Sequence, residues 1–155
     1  MSNQQKNLDL ECASRGSEIA EGVFAELKEK NKTENLLTKS LGVLQEDGVY
    51  AFFLYLASQG KEENGRKNSE RKAAEACISK ATDLLKGVGL PLNNANQVLQ
   101  DIREKLADKL DFLLLAKQLL ERTLVYARYH AKAKDKTETK AKTDTDEVNN
   151  ELGNL

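Results

Sequence analysis

His130 is the only histidine of this 155-residue chain, and Cys12 and Cys77 are its only cysteines. A Ser-His-Asp or Cys-His arrangement needs an imidazole held beside its nucleophile. A lone histidine next to Arg128, toward the end of a helical segment, reads instead as a surface or capping residue. A di-iron carboxylate bundle needs a histidine from each of two helices, so one histidine excludes it. HExxH, CxxC, Walker and GxGxxG patterns are all missing. Neither cysteine has a Cys or His neighbour at metal-ligand spacing. Both read as small buried apolar residues in a reducing compartment, with a disulfide between them as the alternative. Carboxylates are plentiful, but nearly all sit beside lysines on helix faces, the pattern of a solvated surface. No catalytic residue, metal or cofactor is expected, and the chain is expected not to be an enzyme.

What remains is contact chemistry. Arg66, Lys67, Arg71 and Lys72 cluster where a loop enters a helix, diluted by Glu70 and Glu75. A helix N-terminus with basic neighbours suits a phosphate. A second basic line runs through Lys117 and Arg128, with Glu121 between them and Lys132 and Lys134 beyond. Net charge is -1, which excludes a globally basic nucleic-acid binder but leaves a local basic face open. Nothing resembles an aromatic platform on which bases stack. Any nucleic-acid contact is therefore expected at the backbone, without sequence preference. The plainer reading of the Lys117–Arg128 line is a solvated seam.

These residues need helices to position them. Ala, Leu, Glu, Lys and Gln dominate, and the chain holds a single proline; these are good helix formers with little turn punctuation. A first helix is expected from about Leu8 to Lys30, with apolar residues at helical spacing. Gly16 and Gly22 either weaken it or let another helix approach closely. A second helix is expected to start near Thr33 as N-cap and to break at Asp47-Gly48. Residues 49–58 are apolar nearly all round and are read as a helix, because no second strand exists to pair with them. A polar loop over 59–68 follows, then a helix capped by Asn68 or Ser69 and ended by GVGLP at 87–91. Asn94 and Gln97 resemble a capping box, and helical periodicity runs unbroken from Val98 to about Ala133.

On a wheel of about 100° per residue, Leu113, Leu114, Leu115, Leu119, Leu120, Leu124, Val125, Tyr126 and Ala127 cover most of the last helix. Such a helix must be surrounded. The expectation is an all-α compact bundle of about five helices around a long C-terminal helix. One domain is expected over 1–133, followed by a charged, disordered tail over 134–155 whose alternative role is a contact arm in an assembly. Part of the long helix is expected to remain for a protein interface, with weak self-association. The N-terminus is polar, so no secretory signal is expected. The longest apolar run, Val49 to Ala57, is too short to span a bilayer. The chain is expected to be cytoplasmic, with no membrane partner.

Two segments carry more than composition. LTKSLGVLQEDGVYAFFLYLAS at 37–58 resembles a segment of the small helical subunit of type III-B CRISPR complexes, the Cmr small-subunit family. Lys39, Gly48 and Phe53 fall at the places of its lysine, its break and its apolar helix. LLLAKQLLERTLVYARYHAKA at 113–133 resembles that family's final helix, through Lys117, Leu120, Tyr126, Arg128, Tyr129 and Ala131. The proline often found in the first segment is absent, with Val43 near its place, and the tail is longer and more acidic. The resemblance implies a non-catalytic subunit in antiviral defence. It would line the filament of an RNA-guided effector beside the backbone-forming subunit and contact guide and target RNA through a basic groove. The contact candidates are Lys39, Arg71, Lys72, Lys117, Arg128 and Lys132. Two other readings compete: a helical protein–protein interaction module without nucleic-acid contact, and a helix-turn-helix DNA binder built on the helix after GVGLP.

Overall fold

The computed structural model describes residues 7–153, with side chains described for 7–133. It is all-helical apart from one small hairpin. The elements are α1 (Leu8–Leu27), α2 (Lys30–Asp47), α3 (Val49–Ala57), β1 (Glu62–Glu63), β2 (Arg66–Lys67), α4 (Ser69–Gly87), a short α5 (Val98–Asp101) and α6 (Leu110–Gly153). The charged tail expected at 134–155 lies outside the residues whose side chains are described. Among the described residues, no helix is long and apolar enough to cross a membrane.

Local chemistry explains most boundaries. The Asn7 side chain accepts from the Leu10 N–H at 3.1 Å, and Asp9 and Glu11 occupy the positive first turn of α1. Lys28 ends the helix in the left-handed region at φ 59°. Thr33 is not the cap of α2. The helix starts a turn earlier, and buried Thr33 donates its hydroxyl back to the Glu29 carbonyl at 2.8 Å. Gly48, at φ 97°, separates α2 from α3 as expected. Residues 49–57 are helical, and Asn68 caps α4 by accepting from the Arg71 N–H at 2.9 Å. The polar loop contains an antiparallel hairpin pairing Glu62 with Lys67 and Glu63 with Arg66. Its turn is Asn64-Gly65, both at positive φ (52° and 76°), the geometry for which Asn-Gly is the strongest short signal.

The expected unbroken helix from Val98 to Ala133 is two pieces. Asn94 makes no side-chain cap, so the capping box does not form. After α5 the backbone widens into a π-turn over Ile102–Leu106, and α6 restarts at Leu110. Burial supplies the reason. Val98, Ile102 and Leu106 are buried at four-residue spacing, yet the same stripe continued would bury Leu110 and Leu114, which stay 66% and 50% exposed. The break re-aims the chain, so that Ala116, Leu119, Leu120, Leu124 and Ala127 become the buried face.

The core is organised along α1, which packs against α4 on one side and α6 on another. Cys12 donates its thiol to the Leu119 carbonyl at 3.5 Å, while Gly16 lies against Thr123; the two helices therefore run parallel. A β-carbon at Gly16 would stand 2.8 Å from the Thr123 carbonyl oxygen and from Tyr126 Cβ. Gly16 thus sets the close approach of α1 and α6. Lys117, near the start of α6, donates to the Gln45 carbonyl near the end of α2 at 3.2 Å, so α2 covers α6 in the opposite direction. One side of α6 is buried by these neighbours. Leu110, Leu114, Val125 and Tyr129 stay on its open side.

Candidate nucleic-acid interface

The basic residues singled out in the sequence fall into two groups. Lys39 is exposed on α2 and opens on a hollow of about 220 Å³ shared with Lys32, Tyr55 and Glu70. Arg71 and Lys72 lie on the first turn of α4, close to that end of the molecule. Lys117, Arg128 and Lys132 lie along α6. Eleven residues separate Lys117 from Arg128, about 16 Å along a helix and nearly the same angle. Lys117 borders a different hollow, beside Asp47, Tyr50 and Arg103.

Their availability differs as much as their position. The Arg71 guanidinium donates to the Ala57 carbonyl, satisfying the C-terminal end of α3, and pairs with Glu75 at 3.3 Å. Lys67 also pairs with Glu75, at 2.9 Å. Lys117 serves α2 in the same way through Gln45 and has Glu121 at 4.0 Å. A cation beside the last carbonyls of a helix offsets the negative end of its dipole. Lys72 and Lys132 are exposed and Arg128 is half-buried, and none of the three has an ion-pair partner among the described residues. Tyr129, 65% exposed, stands beside Arg128. Lys72 on α4 is therefore one cation that no described carboxylate holds, and Arg128 and Lys132 are two more on α6. His130 is exposed there as well.

Arg71→Ala is accordingly expected to destabilise the fold by about 1–2 kcal/mol, through a lost charged hydrogen bond to a backbone carbonyl. Lys72→Ala, one residue on and exposed, is expected to stay within about 0.5 kcal/mol of the parent. Urea denaturation of the two variants checks this; equal effects would remove the structural role given to Arg71.

Sequence reasoning missed the acidic partners. Asp9 accepts from Arg122 at 3.0 Å and from the Tyr126 hydroxyl at 2.8 Å, tying the start of α1 to α6. That hydrogen bond to Asp9 raises the Tyr126 phenol above its ordinary value, with burial adding to it. Asp101 is buried at 3% exposure; it accepts from the Asn93 N–H at 2.8 Å and pairs with Lys105 at 3.4 Å. The only available hints were an acid in a first helical turn and an acid four residues before a lysine, both common patterns.

Both cysteines are free and buried. Burial pushes the Cys77 thiol up to about 12 and raises Cys12 as well, the latter opposed by a hydrogen bond with Thr123. Folding favours the neutral Cys77 thiol. Its contribution is intact below the ordinary value of 9.0 and is lost as pH rises from there toward about 12. Neither thiol is expected to react with a thiolate-selective reagent in the native protein at pH 8, and both are expected to react once urea unfolds it. Rapid native labelling of either would contradict that burial. Among the described residues no group of His, Cys, Asp and Glu is placed to hold a metal ion.

No family model, curated protein or solved structure matches this chain.

Proposed function

We propose that the chain is a non-catalytic small subunit of an RNA-guided effector assembly of the type III-B CRISPR kind, touching RNA backbone along the open side of α6. One observation carries this reading. The two segments that resemble that family, 37–58 and 113–133, lie far apart in sequence yet pack as one unit. Leu37, Leu41 and Leu44 of α2 share the core with Leu120 and Leu124 of α6, and Lys117 is bonded to Gln45.

Arg128 and Lys132 supply the phosphate contact, because their charges are not held by a described carboxylate. Arg71 and Lys72 at the α4 start, with Lys39 of α2 on the hollow that Glu70 also lines, form a separate contact, in which Arg71 acts mainly on the fold. The backbone-forming subunit of the assembly meets the remaining surface. The double variant R128E/K132E is expected to keep its helical content while RNA retention in the assembled complex falls on the order of tenfold or more. Retention should also fall with salt, at roughly 0.7 log units per log unit for each single-strand phosphate contacted. Unchanged RNA retention would overturn the assignment.

A second reading has its own observation. Leu110 and Leu114, 66% and 50% exposed on adjacent turns, suit a protein partner, with no nucleic acid involved. Binding of that kind would be weakened by Leu114→Asp and would be insensitive to salt and to R128E/K132E.

A further inference from the structure

A groove of about 400 Å³ opens where α2 gives way to α3, beside the π-turn and the first turns of α6. Its floor is aliphatic: Val49, Ile102, Leu113 and Leu114. Its rim is cationic. Lys117 stands on one side. On the other, Arg103 donates one N–H to the Tyr50 hydroxyl at 2.7 Å and lies 5.9 Å over that ring. A guanidinium has five N–H donors, so most remain for a ligand. Asp47 is also on the rim and opposes these cations in part. Gly48, at the mouth, gives α3 no side-chain cap, which adds the positive end of that helix. The groove therefore suits an apolar segment flanked by carboxylates.

The chain itself contains such a segment. From residue 144 onward it holds Asp144, Asp146, Glu147 and Glu151 and no lysine or arginine. Its apolar residues are Val148, Leu152 and Leu155, spaced at i, i+4 and i+7 like one face of a helix. The stretch just before it, 134–143, has no residue larger than alanine that is apolar. The segment cannot reach the groove of its own chain, because α6 continues to Gly153. Val148 is 31 residues past Lys117 on that helix, roughly 46 Å away at 1.5 Å per residue.

We infer that the groove at the start of α6 receives the acidic, apolar segment 144–155 of a second copy of this chain. Charge complementarity selects the occupant and the aliphatic floor holds it. Two copies exchanging segments reciprocally would close a symmetric pair. The inference does not rest on the RNA reading, since none of its groove residues belongs to the proposed phosphate contacts.

Sedimentation equilibrium of the full chain tests it. Self-association is expected to rise with concentration and to weaken with salt. Leu152→Asp and Leu114→Asp are each expected to weaken it at least tenfold. Leu54→Asp, at an exposed leucine on α3, is expected to leave it unchanged. A second measurement guards against misfolded variants. Chains carrying L114C are mixed with chains carrying L152C under mild oxidation; native Cys12 and Cys77 are buried and do not compete. A disulfide-linked pair of chains supports the inference, and an L54C chain replacing L114C should not link. A chain that stays monomeric throughout, association indifferent to Leu152→Asp, or the absence of a link between L114C and L152C chains would each overturn it.

Discussion

Phe52→Ala is expected to destabilise the bundle by about 3–5 kcal/mol, the usual range for deleting a buried aromatic ring. Phe52 is fully buried on α3 and meets Phe53 edge to face, with ring centroids 5.0 Å apart and planes at 74°. Such a pair contributes beyond its buried area, because the positive edge of one ring faces the negative face of the other. α3 is short, and it is held by packing against α2, α4 and α5, with little help from its own hydrogen bonds. Removing the ring leaves a cavity that these neighbours can close only in part. The melting temperature should fall by on the order of 10–20 °C. Leu54→Ala on the same helix, at 49% exposure, should cost less than about 1 kcal/mol. Urea denaturation with an unchanged slope measures both. Similar losses at the two positions would contradict the side of α3 assigned to the core.

Two glycine substitutions inside helices are expected to have opposite signs. Gly16→Leu should unfold the protein or come close to it. Even a methyl there would meet the Thr123 carbonyl oxygen and Tyr126 Cβ at 2.8 Å and the Ala127 nitrogen at 3.0 Å. Two of those atoms are backbone, so relief requires α1 and α6 to separate along their whole contact. Gly16→Ala alone should cost about 1–3 kcal/mol through overpacking, despite the better helix propensity of alanine. Gly42 is the control. It lies within α2, and a β-carbon there meets nothing within 4 Å. Gly42→Ala should stabilise by about 0.5–1 kcal/mol. Thermal melts of the two alanine variants are sufficient, and a stabilised Gly16→Ala would show that α1 and α6 do not touch as described.

The candidate interface was legible in residue type but not in availability. Arg71 and Lys117 look like phosphate ligands because their neighbours along the chain are basic and helical. The structure gives each a helix-end carbonyl, Ala57 and Gln45. Those carbonyls lie 14 and 72 residues away, a distance at which no local pattern operates. The Lys117–Arg128 spacing was sound, since eleven residues return a helix to almost the same face. The placement of Lys39 was not readable, because the side of α2 that faces α6 depends on how the two cross.

The sequence by itself determined the helical class, the ends of most helices and the break at Gly48. Those features rest on propensity, caps and backbone freedom, which act within a few residues. It also determined which residues are apolar, hence that a core forms. Tertiary structure decided three other matters. It cut the stretch from Val98 to Ala133 in two, although no glycine or proline marks the place. It chose which apolar residues of α6 remain exposed. It converted two exposed-looking cations, Arg71 and Lys117, into helix-end donors. Each of these depends on the burial of one helix against another, and that free energy outweighs local preference without leaving a local signature.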